Sequence, residues 1–260
     1  MGAEVADTDL TNDAFLGGAV RALQPRGGYR AGIDAVLLAA AIPAKLGSRM
    51  RVLDAGAGAG VASLCLAARV PDADIVLVEK DVATADIARR NISRNGLDPR
   101  ASVVTADVTA RAAVLTPLGL APDSFDHTMA NPPFGIEGHG RRPADRQRAT
   151  AHEMPVGALE SWLRFLARVT RPGGTVTLVH RADALGDLLF GISPWFGAVA
   201  VQPIHPRAGE PAVRVIVQGV KASRAALRIL PALVLHAADG AFTPAVAALL
   251  RTPAPLDLGR

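Results

Sequence analysis

The chain has 260 residues, of which half are hydrophobic and one fifth are charged, and its formal net charge is +4. This composition suffices for one α/β domain with a sizeable core and excludes collagen-like, disordered and disulfide-scaffold classes. Cys65 is the only cysteine, which rules out an intrachain disulfide and favours a reducing, cytoplasmic compartment. The longest apolar run, Ala35–Pro43, is too short to cross a bilayer, and the acidic first 13 residues do not resemble a secretory signal. We therefore expect a soluble protein without a membrane partner.

The positive charge is unevenly distributed along the chain. Residues 1–133 contain 13 basic and 15 acidic side chains, whereas residues 134–260 contain 15 basic and 9 acidic ones. A basic half can indicate a surface that faces phosphates. The strong preference for Arg over Lys is also what a GC-rich genome would produce, and the sequence leaves both interpretations open.

Short apolar runs alternate with longer amphipathic stretches, which predicts βαβ units and a mostly parallel sheet. Strands are predicted, in chain order, at Arg51–Ala55, Asp74–Glu79, Ala101–Ala106, Phe125–Ala130, Thr175–Val179, Ala198–Pro203 and Val213–Val220. Helices are predicted at Ile33–Lys45, Gly60–Arg69, Val82–Asn95, Val156–Thr170 and Ala182–Phe190. Runs of Val, Leu and Ile with little alternation are typical of strands that helices cover on both faces.

We interpret residues 1–260 as a single domain. Its core would be residues 49–220, preceded by a segment of about residues 1–48 and followed by an extension, residues 221–260. The extension contains a predicted strand near Leu227–Leu235, a turn at Asp239–Gly240 and a helix at Pro244–Leu250. The stretch Gly135–Pro155 lacks periodicity, and a long irregular loop inside a domain is typical of a lid or binding loop.

Small residues fill the predicted turn after the first core strand, where Asp54 precedes Gly56, Gly58 and Gly60. Glycine permits positive φ and lets a ligand lie against bare backbone. The spacing G-x-G-x-G differs from the G-x-G-x-x-G of dinucleotide sites, in which a pyrophosphate lies at the helix N-terminus. An acid at the turn would repel a pyrophosphate but suits the ammonium group of a methionine moiety. The turn therefore favours S-adenosylmethionine, with an NAD-dependent oxidoreductase as the alternative.

Two further acids stand where the next two strands end. Glu79 follows the last glycine by roughly 20 residues, the place at which such folds keep an acid for the two ribose hydroxyls. Asp107 follows the third strand and could accept a hydrogen bond from an adenine amine. Because ligands of open α/β sheets gather at the carboxyl ends of the strands, the three strand ends together predict one cofactor cleft.

The fourth strand ends in the tetrapeptide Asn131-Pro132-Pro133-Phe134. Pro132 keeps Asn131 out of the helical region, and neither proline nitrogen can donate a hydrogen bond. The Asn131 amide oxygen and the Pro132 carbonyl could then hold the two N–H groups of an exocyclic amine, while Phe134 offers a face for a flat ring. We predict Asn131, Pro132 and Phe134 as catalytic residues that act by positioning and electrostatics.

Together, Asp54–Gly60, Glu79, Asp107 and Asn131–Phe134 resemble the class I S-adenosylmethionine-dependent methyltransferases that modify amino groups. The segment Gln24–Leu38 is similar to the corresponding stretch of bacterial tRNA adenine methyltransferases that modify tRNA-Val next to the anticodon. The resemblance implies a Rossmann-like fold with a seven-stranded, mostly parallel sheet and helices on both faces. In that family the stretch covers the methionine end of the cofactor. By match of position, the stretch implies cofactor contacts from Arg30 and Asp34. With the other motifs, the predicted cofactor contacts are Arg30, Asp34, Asp54, Gly56, Gly58, Gly60, Glu79, Asp107 and Asn131.

The resemblance is less specific for the substrate, which we predict to be adenine in tRNA. Related enzymes methylate adenine in DNA or RNA, guanine in rRNA or a glutamine side chain of a protein. A protein glutamine or small-molecule methyltransferase stays an alternative. This tetrapeptide ends in Phe rather than the commoner Tyr, which keeps a stacking face but no hydroxyl. No appended RNA-binding domain is visible, so the irregular loop would bind RNA through Arg141, Arg142, Arg146 and Arg148. No metal is expected, because no His is paired with Cys at metal spacing.

Overall fold

The computed structural model describes residues 7–44, 47, 49–133, 135–136, 153–154 and 157–259. The described chain begins with an antiparallel hairpin of β1 (Leu10–Phe15) and β2 (Val20–Pro25), followed by helix α1 (Ile33–Ala41). The hairpin was not predicted, because β1 is largely polar and β2 lacks regular alternation. Glycines at 17 and 18, both with positive φ, were the available turn signal.

The remaining strands follow in chain order and confirm the seven predicted ones, six with shifted ends and Phe125–Ala130 with the predicted bounds. They are β3 (Met50–Ala55), β4 (Ala73–Glu79), β5 (Ala101–Thr105), β6 (Phe125–Ala130), β7 (Gly135–Ile136), β8 (Glu153–Met154), β9 (Thr170–Arg181), β10 (Phe196–Arg207), β11 (Arg214–Lys221), β12 (Arg228–Ile229) and β13 (Leu233–His236). The helices after α1 are α2 (Val61–Arg69), α3 (Val82–Arg94), α4 (Ala112–Leu115), α5 (Ala158–Val169), α6 (Leu185–Ile192) and α7 (Pro244–Arg251).

The central sheet has the order β12-β10-β11-β9-β6-β3-β4-β5, and β13 also pairs with β10. Among the described strands of this sheet, β11 alone runs antiparallel to its neighbours. The mostly parallel Rossmann-like fold is confirmed, but the count of seven strands is wrong because the sheet has nine. The extra edge strands arise where Pro231 divides the predicted strand Leu227–Leu235 into β12 and β13, since proline cannot donate to a strand ladder.

Two smaller corrections concern the ends of elements. Helix α1 stops at Ala41 rather than Lys45, because Pro43 follows and the residues before a proline disfavour helical backbone. The predicted turn at residues 171–174 is instead part of β9, whose pairing with β6 shifts register between Phe125 and His127. The short helix α4 was not predicted.

The sheet separates two hydrophobic clusters. One packs α1, α2, part of α3 and Leu249 of α7 against strand residues that include Val52. The other packs α4, α5 and α6 against strand residues that include Leu53. Adjacent strand residues point to opposite faces, so β3 contributes to both clusters and helices cover the sheet on both sides. Among the described residues, no helix combines the length and the apolar character needed to cross a bilayer.

Two Asn side chains, one on α3 and one at its C-cap, hold β2 against the sheet. The Asn91 amide accepts from the Leu23 backbone N–H at 2.7 Å and donates to the carbonyls of Leu23 and Ala59, each at 2.9 Å. One helical turn later, Asn95 accepts from the Arg21 N–H and donates to the Arg21 carbonyl. Spaced four apart on a helix, the two amides match alternate residues of the strand. Asn91 therefore connects the hairpin, α3 and the turn that follows β3.

We predict that Asn91→Ala lowers the free energy of unfolding by about 2–4 kcal/mol, because three buried backbone groups lose their partner. The side chain of Asn91 is fully buried, whereas Asn95 is partly exposed. Asn95→Ala, whose backbone partners can turn to water, is the matched control and should cost less. Urea unfolding of the three proteins measures the difference, and equal losses from both substitutions would contradict the special role of Asn91.

Candidate active site

The sheet brings the predicted site residues to one edge. In the parallel registers, Ala55 lies opposite Val78 and Ala130, and Glu79 lies opposite Thr105. The strands β3, β4, β5 and β6 therefore end at the same level. The glycine turn, Glu79, Asp107 and Asn131 all follow or complete these strands, as the sequence predicts.

The turn between β3 and α2 has positive φ at Gly56, Gly58 and Gly60, with values of 64°, 56° and 85°. A Cβ atom on Gly56 would lie 2.4 Å from the Trp162 ring, and one on Gly60 would lie 2.9 Å from Leu77. A Cβ atom on Gly58 would meet no described atom within 4 Å. Packing thus requires glycine at both ends of the turn, while its middle leaves bare backbone accessible to a ligand. Trp162 was not predicted to lie at the site.

Glu79 anchors the middle of this turn. Its two carboxylate oxygens accept from the backbone N–H groups of Gly58 at 3.0 Å and Asp81 at 2.9 Å. An ionised carboxylate has about four acceptor positions, so two remain for the hydroxyls of a ribose. The side chain lies at the end of β4, at the carboxyl edge of the sheet, and it also shapes the turn.

Asp54 is buried beneath the turn, with 2% of its surface exposed. Its carboxylate accepts from the Ser63 hydroxyl at 2.7 Å and so ties the end of β3 to helix α2. Burial raises the pKa of Asp54 from 3.8 to about 7; the hydrogen bonds from Ser63 oppose this shift, and the negative charge of Glu79 adds to it. Both the neutral and the ionised form are therefore available near pH 7. The bond to Ser63 was not foreseen from the sequence.

Asp107 is exposed just beyond β5. Its carboxylate accepts from the Thr109 N–H at 2.8 Å and from the Thr109 hydroxyl at 2.7 Å, which closes a local turn. The residue stands at the carboxyl edge as predicted. Its present contacts stabilise the chain's exit from the strand.

Asn131 meets a residue that sequence reasoning did not assign to the site. Its amide nitrogen donates to the Tyr29 hydroxyl at 3.0 Å, across 102 residues of sequence. Its amide oxygen is buried and has no hydrogen-bond partner among the described residues. Desolvation, with the negative charge of Asp34 next, raises the pKa of Tyr29 to about 12. The sequence did contain a signal that Tyr29 lies near the site, because Tyr29 belongs to the Gln24–Leu38 stretch that the family resemblance places over the cofactor.

The structure gives Arg30 and Asp34 protein partners. Arg30 forms an ion pair with both carboxylate oxygens of Asp13 on β1, at 2.7 and 2.8 Å. Asp34, in the first turn of α1, accepts from Arg214 of β11 at 3.1 Å. The sequence did not indicate that Arg214 lies at the site, since it is 180 residues from Asp34.

The remaining predicted residues divide into two groups. Pro132 is buried directly after Asn131. Phe134 lies outside the described residues. So do the four loop arginines, Arg141, Arg142, Arg146 and Arg148. Within the described part of the chain, no three His, Cys, Asp or Glu side chains are grouped to hold a metal ion.

We predict that the stability change caused by Asp54→Asn depends on pH. Because the folded-state pKa of Asp54 is raised, its contribution to stability is full below about pH 4 and is lost as the pH rises through about 7. Asparagine does not ionise and keeps an oxygen for Ser63. Asp54→Asn should therefore gain stability relative to the parent protein between pH 5 and pH 8, as measured by urea unfolding.

Asp126→Asn is the matched control for this measurement. Burial would raise the pKa of Asp126, but hydrogen bonds from the Arg51 backbone and the Arg171 side chain outweigh it and lower the pKa. Its stability change should be the same at pH 5 and pH 8, since Asp126 is ionised throughout that window. A pH-independent effect of Asp54→Asn would contradict the raised pKa.

Known proteins resemble this chain in sequence and structure. A family model described as the methyltransferase small domain matches residues 30–155. A protein of Aeromonas hydrophila named tRNA1(Val) (adenine(37)-N6)-methyltransferase is 32% identical over 219 residues, or 82% of this chain and 85% of that protein. A Bacteroides thetaiotaomicron protein of the same name is 34% identical over 155 residues, and the match covers 59% of this chain and 60% of that relative.

A solved structure from Agrobacterium tumefaciens agrees with these matches. It is described as a predicted O-methyltransferase, is 32% identical, and covers 86% of this chain and 98% of its own with a TM-score of 0.73. The matched regions include the glycine turn, Glu79 and Asn131. These findings exclude the oxidoreductase alternative and support S-adenosylmethionine as the methyl donor. The chain belongs to the family of S-adenosylmethionine-dependent methyltransferases that includes the bacterial proteins named tRNA1(Val) (adenine(37)-N6)-methyltransferase.

Proposed function

We propose that this protein transfers a methyl group from S-adenosylmethionine to the exocyclic amine of adenine in tRNA. The observation that carries the proposal is the amide oxygen of Asn131, which is buried and has no partner among the described residues. A buried acceptor without a partner is costly, and an amine N–H would remove that cost. The choice of adenine in tRNA as the substrate rests on the names of the relatives, since the acceptor alone fits any exocyclic amine.

The described residues fit the cofactor. Gly58 leaves bare backbone in the turn, and the Glu79 carboxylate beside it retains acceptor positions for two ribose hydroxyls. We assign the methionine ammonium to the side of Asp54 and the adenine amine to Asp107, with Arg30 and Asp34 at the methionine end. When bound, S-adenosylmethionine would supply an electrophilic methyl group on a sulfonium, whose S–CH3 bond breaks to release S-adenosylhomocysteine.

The protein's contribution to the chemistry is to orient the amine and to keep competing hydrogen-bond donors away from its acceptors. The Asn131 oxygen and the Pro132 carbonyl each accept one N–H of the amine, which directs the nitrogen lone pair away from both acceptors. Neither proline nitrogen competes as a donor. The methylated nitrogen then loses a proton to water, so the site needs no strong base. Positioning of this kind provides a large part of the barrier reduction in group transfer.

We further propose that RNA binds through the basic half of the chain. Residues 134–260 carry 15 basic and 9 acidic side chains, and the loop arginines 141, 142, 146 and 148 belong to this half. Electrostatic attraction to phosphates would hold the RNA without base specificity. Since tRNA is the proposed substrate, we place the enzyme in the cytoplasm.

The first test of the proposal concerns the cofactor. Glu79→Ala should weaken binding of S-adenosylhomocysteine by about 2–4 kcal/mol, because two charge-assisted hydrogen bonds to the ribose are lost. Titration calorimetry measures the affinity. Glu79→Gln keeps an acceptor for the Gly58 N–H but loses the charge, so it should fall between the parent and the alanine variant. Affinity of Glu79→Ala equal to that of the parent would place the cofactor elsewhere.

The second test concerns the transfer itself. Purified protein, S-adenosylmethionine and unmodified tRNA should yield N6-methylated adenosine, identified by mass spectrometry of the nucleosides. Asn131→Ala should bind S-adenosylhomocysteine normally but lower the single-turnover rate by roughly 10²–10³-fold, the scale for losing one preorganised polar group at a reacting centre. Full activity of Asn131→Ala would refute the proposal. Methylation only of a protein glutamine, or of an oxygen or carbon atom, would refute it equally.

A further inference from the structure

The Asn131 amide can serve as an acceptor only in one of its two orientations. Its oxygen accepts hydrogen bonds, whereas its nitrogen donates them. Rotated by half a turn, the amide would present N–H donors to the N–H donors of a substrate amine and would repel it. A residue that selects one orientation therefore decides whether the site can hold an amine.

The Tyr29 hydroxyl lies 3.0 Å from the nitrogen end of this amide and accepts its hydrogen bond. The oxygen end is thereby directed to a buried position with no partner among the described residues. We propose that Tyr29 is a positioning residue that fixes the Asn131 amide with its oxygen toward the substrate amine. This inference rests on the proposed function, because it names what prepares that acceptor.

The surroundings of Tyr29 suit a neutral hydroxyl that accepts a hydrogen bond. Although 38% of the residue's surface is exposed, the charges of Asp34, Asp54 and Arg214 act on its hydroxyl. Desolvation and the two acids raise its pKa to about 12, while Arg214 opposes them. The phenol therefore stays protonated at physiological pH.

Two ion pairs anchor the segment that carries Tyr29. The residue lies between β2 and α1, and Asp34 in the first turn of α1 is tied to Arg214 of β11 at 3.1 Å. The neighbouring Arg30 is tied to Asp13 on β1. These two ion pairs, made by residues that follow Tyr29 closely in the chain, thus tie the segment that carries Tyr29 to β1 and β11 before any ligand binds.

Tyr29→Phe tests the proposal, because it removes the hydroxyl and keeps the ring. Tyr29 is the only tyrosine of the chain, so the variant leaves no other phenol. We expect a loss of about 3- to 10-fold in the single-turnover rate at saturating tRNA, the fold-change that corresponds to one neutral hydrogen bond. Affinity for S-adenosylhomocysteine and KM for tRNA should change less than about twofold. A rate equal to that of the parent would overturn the proposal.

A double-mutant cycle distinguishes positioning from a direct contact. If Tyr29 acts through Asn131, Tyr29→Phe has no further effect once Asn131→Ala is present. The rates of the parent, the two single variants and the double variant provide this comparison. Additive losses, or a loss of S-adenosylhomocysteine affinity that accounts for the slower rate, would show that Tyr29 does not act by orienting the amide.

The same cycle separates this inference from the function it rests on. Full activity of Asn131→Ala would refute the proposed function, whatever Tyr29→Phe does. A strong loss in Asn131→Ala together with an unchanged Tyr29→Phe would leave the proposed function standing and refute only the positioning role.

Discussion

The turn between β3 and α2 is the constraint on which the site depends. Its backbone takes positive φ at three glycines within five residues, which is costly for any residue with a side chain. Other parts of the fold hold it there: Trp162 packs on Gly56, Glu79 binds the N–H of Gly58, and Asn91 binds the carbonyl of Ala59. These contacts come from α5, β4 and α3, so the turn is shaped by elements on both faces of the sheet.

The acids at the carboxyl edge take part in the fold as well as in the proposed binding of the cofactor. Asp54 joins β3 to α2 through Ser63, Glu79 holds the turn and Asp107 closes a turn after β5. A carboxylate already fixed by hydrogen bonds loses little conformational freedom when a ligand arrives. The edge is in this sense preorganised, which lowers the entropic cost of binding.

The amine end of the site is assembled from more distant parts of the chain. Asn131 at the end of β6 meets Tyr29 ahead of α1, and Asp34 meets Arg214 on β11, 180 residues later. The N-terminal hairpin anchors this region through Arg30 and Asp13, and α3 anchors the hairpin through Asn91 and Asn95. The segment before the Rossmann-like core is thus part of the proposed active site.

The sequence by itself determined the parallel α/β fold, the glycine turn and the strand-end residues, because each depends on local chemistry. Apolar periodicity marks buried strands, glycine marks positive φ, and proline after Asn131 restricts its backbone. Only the tertiary structure decided the partners: Trp162 on Gly56, Ser63 on Asp54, Arg214 on Asp34 and Tyr29 on Asn131. It also decided that the predicted strand Leu227–Leu235 divides in two and pairs with β10. The physical reason is that pairings between distant residues are set by packing and sheet order, which no local pattern encodes.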